Sequence, residues 1–226
     1  MASIERLYTL DRVLDLMISG CGELQEGSRI IDGETADPNS IPWQVRLQAR
    51  GYMCGGTIVC PNFVLTAAHC MDNMSPRNVE VFAAEHDAND PYDHEKHQVK
   101  QIHRHPRWVP SGDGPTTNIK EFDYDYAILE LKRPIDLSEN SNARAACLPS
   151  RSDKDRIFRD GTKFVVSGWG EGSSNKLHHA TISFLPDHCG PLTKQMFCAG
   201  EPGRGKGTCS GDSGGDYFLF FPLFAR

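Results

Sequence analysis

From Ile30 onward, apolar and polar residues alternate over short stretches. Trp43, Val45 and Leu47 take turns with Gln44, Arg46 and Gln48, which predicts a strand with one face to a core and one to water. GGTIV and FVLTA form two more short apolar runs, with Pro61-Asn62 between them as a turn. VEVFA, DYAILEL, KFVVSGWG and ATISFL continue the pattern, separated by turn-rich stretches such as HDANDPYDHE and VPSGDGPTTN. Strands recurring without long helical patterns predict an all-β barrel or sandwich. Ahead of them, Ile4, Leu7, Leu10, Leu14 and Met17 recur at helical spacing and predict an amphipathic helix.

Composition narrows the class. At 226 residues, 38% hydrophobic and 24% charged, the chain reads as soluble and globular, with enough length to bury a core. A formal net charge of -6 argues against a nucleic-acid partner, and no apolar run approaches a membrane span. Glu5, Arg6, Asp11, Arg12 and Asp15 interrupt the stretch where a signal peptide would be apolar, so none is visible. Eight cysteines nevertheless suit an oxidising, extracellular compartment.

Gly211-Asp212-Ser213-Gly214-Gly215 carries the candidate chemistry. Its G-x-S-x-G spacing formally matches an α/β-hydrolase elbow, but those enzymes need a histidine after the serine, and none follows Ser213. The order histidine, aspartate, serine is present instead. Thr66-Ala67-Ala68-His69-Cys70 ends one apolar run, and Asp125-Tyr126-Ala127-Ile128-Leu129 begins another. With GDSGG, these motifs resemble the trypsin/chymotrypsin family of serine proteases, over Ile30 to about Gly215.

The resemblance implies a double six-stranded β-barrel, with residues 30–148 as the first barrel and 149–226 as an incomplete second one. It implies peptide-bond hydrolysis with Ser213 as nucleophile, His69 as base and Asp125 as the acid that orients it. Asp123 competes for the acid's place, but Asp125 fits the D-x-A-x-L-x-L spacing. The backbone N–H groups of Gly211 and Ser213 would form the oxyanion hole. Ser28-Arg29-Ile30-Ile31 resembles the family's activation site, so residues 1–29 are expected to be a pro-segment of a zymogen. An activating protease of trypsin-like specificity would cut after Arg29, and the freed Ile30 ammonium would pair with Asp212.

The same resemblance implies disulfides Cys21–Cys147, Cys54–Cys70 and Cys189–Cys198, leaving Cys60 and Cys209 as thiols. Gly207 would lie at the floor of the specificity pocket, without the aspartate that favours cleavage after Lys or Arg. Related proteases hold calcium between two carboxylates at the positions of Glu85 and Glu95, so calcium is a candidate ion; no other cofactor is expected. His94-x-x-His97 reads as a solvated loop rather than a zinc pair. Asn73-Met74-Ser75 is a glycosylation sequon. Protein or peptide substrates are the expected partners.

In the family the chain runs on past GDSGG through further strands and a closing helix, whereas YFLFFPLFAR follows here. Two expectations therefore stand. One is a secreted serine endopeptidase; the other is a truncated, catalytically incompetent homologue, acting as a binding decoy or arising from an aberrant transcript.

Overall fold

The structure is a computed structural model that describes residues 21–22, 34–110, 123–149, 153–170, 175–185, 193, 196–201, 212–215 and 217–219. Nearly every regular element in it is a strand, as the alternation predicts. The N-terminal helix expected over residues 4–17 lies outside the described residues.

Six strands close into a barrel in the order β2-β3-β4-β7-β6-β5. They are β2 (Gln44–Ala49), β3 (Tyr52–Cys60), β4 (Phe63–Thr66), β5 (Val79–Ala83), β6 (Glu95–Arg104) and β7 (Ala127–Leu131). All of their pairings are antiparallel. Val45, Leu47, Ile58, Val64, Val81, Val99, Leu129 and Leu131 point inward and are fully or almost fully buried. Closure removes the unpaired edges that an open sheet would expose.

The second sheet runs β1-β9-β8-β11, with β10 also paired to β9. Here β1 is Glu34–Thr35, β8 Lys163–Gly168, β9 His178–Phe184, β10 Ala199–Gly200 and β11 Tyr217–Leu219. Ile157, Phe164, Val166, Ile182 and Phe184 form its separate core. β11 pairs Tyr217 with Val166 and Leu219 with Phe164. The segment after the serine thus extends this sheet, which is open among the described residues. Glu34–Thr35 belongs to it too, although it precedes the first barrel in sequence.

β2 departs from the expected two-faced strand. Gln44 and Arg46, expected to face water, are both buried. Gln44 faces the second sheet, where its Oε1 accepts a hydrogen bond from Ser167 Oγ at 3.1 Å. Arg46 lies beneath the loop that follows β5 and pairs with Glu85. That loop is tied to the second sheet as well: the His86 carbonyl accepts from Trp169 Nε1 at 3.1 Å and from the Leu177 N–H at 2.8 Å. Polar residues on β2 are therefore buried by the joint between the two halves, which a single-strand pattern does not register.

Candidate active site

His69 and Asp125 meet because of strand register. In the antiparallel pair β4–β7, Thr66 lies opposite Ala127. The residues just past Thr66 and those just before Ala127 therefore emerge at the same end of the barrel. His69 opens a 3-10 turn, His69–Met71. The Cys54–Cys70 disulfide ties that turn to β3.

The Asp125 carboxylate holds His69 at two points. Oδ1 accepts the His69 backbone N–H at 2.8 Å, and Oδ2 lies 2.7 Å from Nδ1. A carboxylate on Nδ1 fixes the tautomer: the proton sits there and the Nε2 lone pair is free to take another. The hydrogen bond that His69 donates to Asp125 raises the His69 pKa above its ordinary value; burial opposes the rise, and the charges of Asp125 and Asp72 add to it. Asp123 is engaged elsewhere, accepting a hydrogen bond from the Thr193 hydroxyl.

Ser213 approaches from the other half of the molecule, in the turn that precedes β11. Its carbonyl accepts the Gly55 N–H at 2.7 Å, which seats the turn directly on β3. One sulfur atom links the components: Cys70 Sγ lies 3.6 Å from the Ser213 carbonyl oxygen and 3.6 Å from His69 Nε2. A disulfide sulfur has no hydrogen to donate, so both are packing contacts. Among the described residues no hydrogen bond joins Ser213 Oγ to His69 Nε2. Such bonds are commonly long without substrate and tighten in the complex.

Glycines make this approach possible. Gly214 has φ +77, and a Cβ there would stand 2.4 Å from Thr66 Oγ1 and 2.8 Å from the Gly55 carbonyl. Only glycine meets both demands. Asp212 fits into a similar space: its Oδ1 accepts the Gly170 N–H at 2.7 Å. A Cβ on Gly168 or Gly170 would fall 2.1 or 2.4 Å from its carboxylate oxygens. Sequence reasoning missed Gln44, Gly55, Gly168 and Gly170. The glycine pair inside the apolar run MCGGTIV was the available signal, since glycine within a strand often marks close backbone approach.

The structure joins Cys21 to Cys147 as well as Cys54 to Cys70. Cys198 is disulfide-bonded, with its partner outside the described residues. Cys60 is a buried free thiol. Arg29, Ile30, Cys189, Gly207, Cys209 and Gly211 lie outside the described residues.

The expected calcium position does not fit an ion. Calcium needs several oxygen ligands, but Glu85 binds the Arg46 guanidinium with both oxygens, at 2.5 and 2.7 Å. Its Oε1 also lies 3.5 Å from His94 Nδ1. Glu95 instead faces His97 at 3.4 Å, so His94 and His97 are engaged separately. Cys54, His69 and Cys70 lie close enough to share a metal, but the two sulfurs are bonded to each other and offer no thiolate.

Comparison with known proteins identifies the family. The family model described as Trypsin matches residues 30–219. The chain is 33% identical over 214 residues to human Kallikrein-15, covering 84% of this chain and 76% of the relative. The Kallikrein-15 of Saguinus oedipus gives the same identity and coverage. Human Transmembrane protease serine 5 is 32% identical over 228 residues, covering 92% of this chain and 46% of the relative. A closed six-stranded barrel, a second antiparallel sheet and a family match over residues 30–219 place this chain in the trypsin-like family of serine proteases.

Proposed function

We propose that the chain is a serine endopeptidase zymogen that hydrolyses peptide bonds through Ser213, His69 and Asp125. The observation that carries this reading is the double hold of the Asp125 carboxylate on His69, which leaves the Nε2 lone pair available as a base, 3.6 Å from the sulfur that also touches the Ser213 carbonyl.

Ser213 Oγ attacks the substrate carbonyl carbon while His69 Nε2 takes its proton. The resulting imidazolium is stabilised by Asp125, which keeps its own charge. The oxyanion receives the N–H groups of Gly211 and Ser213, each worth about 3 kcal/mol in such sites. His69 then returns the proton to the leaving amine, and water hydrolyses the acyl-enzyme by the same steps in reverse roles. The substrates are proteins or peptides. Gly207 supplies no charge at the pocket floor, which weakens the case for selecting Lys or Arg.

Activation follows cleavage after Arg29 by a protease of trypsin-like specificity. The Ile30 ammonium then pairs with Asp212, in the glycine-lined space beside Gly168 and Gly170. A buried carboxylate–ammonium pair of this kind acts as a switch on the serine's loop. The Cys21–Cys147 disulfide keeps the pro-segment attached after the cut. Disulfides favour a secreted protein. No helix among the described residues is long and apolar enough to cross a membrane.

The test is labelling by a fluorophosphonate before and after cleavage at Arg29, read by intact mass with Ser213→Ala as control. One adduct appearing only after cleavage, and absent from the control, supports the proposal. No adduct on folded, cleaved protein overturns it and leaves a protease fold without catalysis.

A further inference from the structure

We infer that the short segment from Arg104 to Trp108 positions both members of the His69–Asp125 pair, acting as a bracket between them. The inference rests on the catalytic reading above, but its test does not depend on turnover.

The segment leaves β6 at Arg104 and contacts the His69 turn on one side. Arg104 Nη2 donates to the Met71 carbonyl and, at 3.3 Å, to that of Met74. Trp108 Nε1 donates to Asp72 Oδ1 at 2.9 Å, and Arg104 Nε lies 3.9 Å from the same oxygen. These contacts take up carbonyls and a carboxylate directly after His69. They fix the turn at its far end, while the disulfide fixes it at Cys70.

On the other side the segment holds the approach to Asp125. The His105 N–H donates to the Tyr126 carbonyl at 3.0 Å. The His105 ring stacks on Tyr124 with centroids 4.6 Å apart and planes within 10°. Arg107 Nη1 donates to the Tyr124 hydroxyl at 2.8 Å, and its guanidinium carbon lies 5.3 Å from that ring's centroid. Tyr124 has φ +61, a left-handed conformation that a bulky side chain rarely adopts without restraint. Asp125 is the next residue. Released from Arg107 and His105, Tyr124 would relax toward ordinary backbone angles and carry the Asp125 carboxylate with it.

Arg104, Trp108, His105 and Arg107 thus act through other residues, never on substrate. Misplacement by about 1 Å at a reacting group costs roughly two orders of magnitude in rate, so such a bracket has a measurable consequence.

The experiment follows the titration of His69 by NMR in the full chain carrying 15N-histidine, with Arg107→Met, Tyr124→Phe and Trp108→Phe as variants. Among the described residues the charged groups acting on His69 are Asp125 and Asp72, and both raise its pKa. The expected result is a lower His69 midpoint in each variant, restored when Arg107→Lys takes the place of Arg107→Met, with little change in Tm for Arg107→Met and Tyr124→Phe. Trp108 is buried, so Trp108→Phe lowers Tm as well. Arg107 is exposed, so Arg107→Met folds and keeps the test decisive. If cleaved protein turns over a peptide ester, kcat should fall roughly tenfold with KM unchanged. Variants that lower Tm yet leave the His69 midpoint in place would overturn the inference. Failure of the catalytic reading would show separately, as absence of Ser213 labelling in the parent chain.

Discussion

An ideal Cβ on Gly55 would stand 2.6 Å from the Cα of Gly215. The obstacle is backbone, so no side-chain rotation can relieve it. Gly55→Ala is expected to cost about 1–3 kcal/mol, as overpacking usually does, and to push the serine's turn off β3. Thermal melting and fluorophosphonate labelling together check this. A variant with normal labelling would show that the two backbones need not be so close.

The acid limb of the activity–pH profile should lie above the ordinary histidine value of about 6.5, because the Asp125 bond raises the His69 pKa. The base must be neutral to accept a proton, so activity rises as pH passes the raised value. Stability runs the other way. The charged pair stabilises the fold fully below the unfolded-state pKa, and that contribution fades as pH rises through the folded one. Asp125→Asn should shift the limb of kcat/KM downward and cut kcat by about 10⁴-fold, the loss typical of this change in such triads.

Arg46 and Glu85 form a pair whose removal should be asymmetric. Their side chains are 10% and 0% exposed, and the guanidinium carbon of Arg46 lies 4.2 Å from the Phe82 ring centroid. Arg46→Met alone leaves a buried carboxylate and should cost about 3–5 kcal/mol. Adding Glu85→Met should recover most of that loss. Denaturant melts of the two variants give the comparison. Calcium should leave the parent's Tm unchanged, since Arg46 already occupies the Glu85 oxygens.

Cys60 should resist alkylation in the native state. It is 5% exposed on β3, and burial raises its thiol pKa, with hydrogen bonds from the Asn62 and Phe63 backbone opposing. The reactive thiolate is therefore scarce as well as shielded. Peptide mapping after iodoacetamide should find Cys60 modified only under denaturant. Rapid native labelling would mean that β3 opens readily.

The barrel strands with clean alternation were legible because one face of each meets the core. β7 is an example, with Ala127, Leu129 and Leu131 buried in turn. β6 was not legible. In EKHQVKQIHR only Val99 and Ile102 are aliphatic, and a bulge between Val99 and Gln101 breaks the period. The candidate site was readable from short motifs because chemistry fixes residue types in order along the chain. Its support was not. Nothing local to Arg104, Trp108 or Gly170 signals a partner that is distant in sequence, and the bidentate hold of Arg46 on Glu85 spans 39 positions.

His69 and Asp125 are carried by the closed barrel, while Ser213 belongs to a turn of the second sheet that touches the barrel at Gly55 and Cys70. Under the proposed mechanism, neither half holds a complete set of reacting groups. Docking of the two halves is then a precondition of that mechanism, besides cleavage after Arg29, and each half made separately should be inert however well it folds. Such an arrangement lends itself to fragment complementation: two harmless polypeptides, mixed, would regain a hydrolase only where their surfaces find each other.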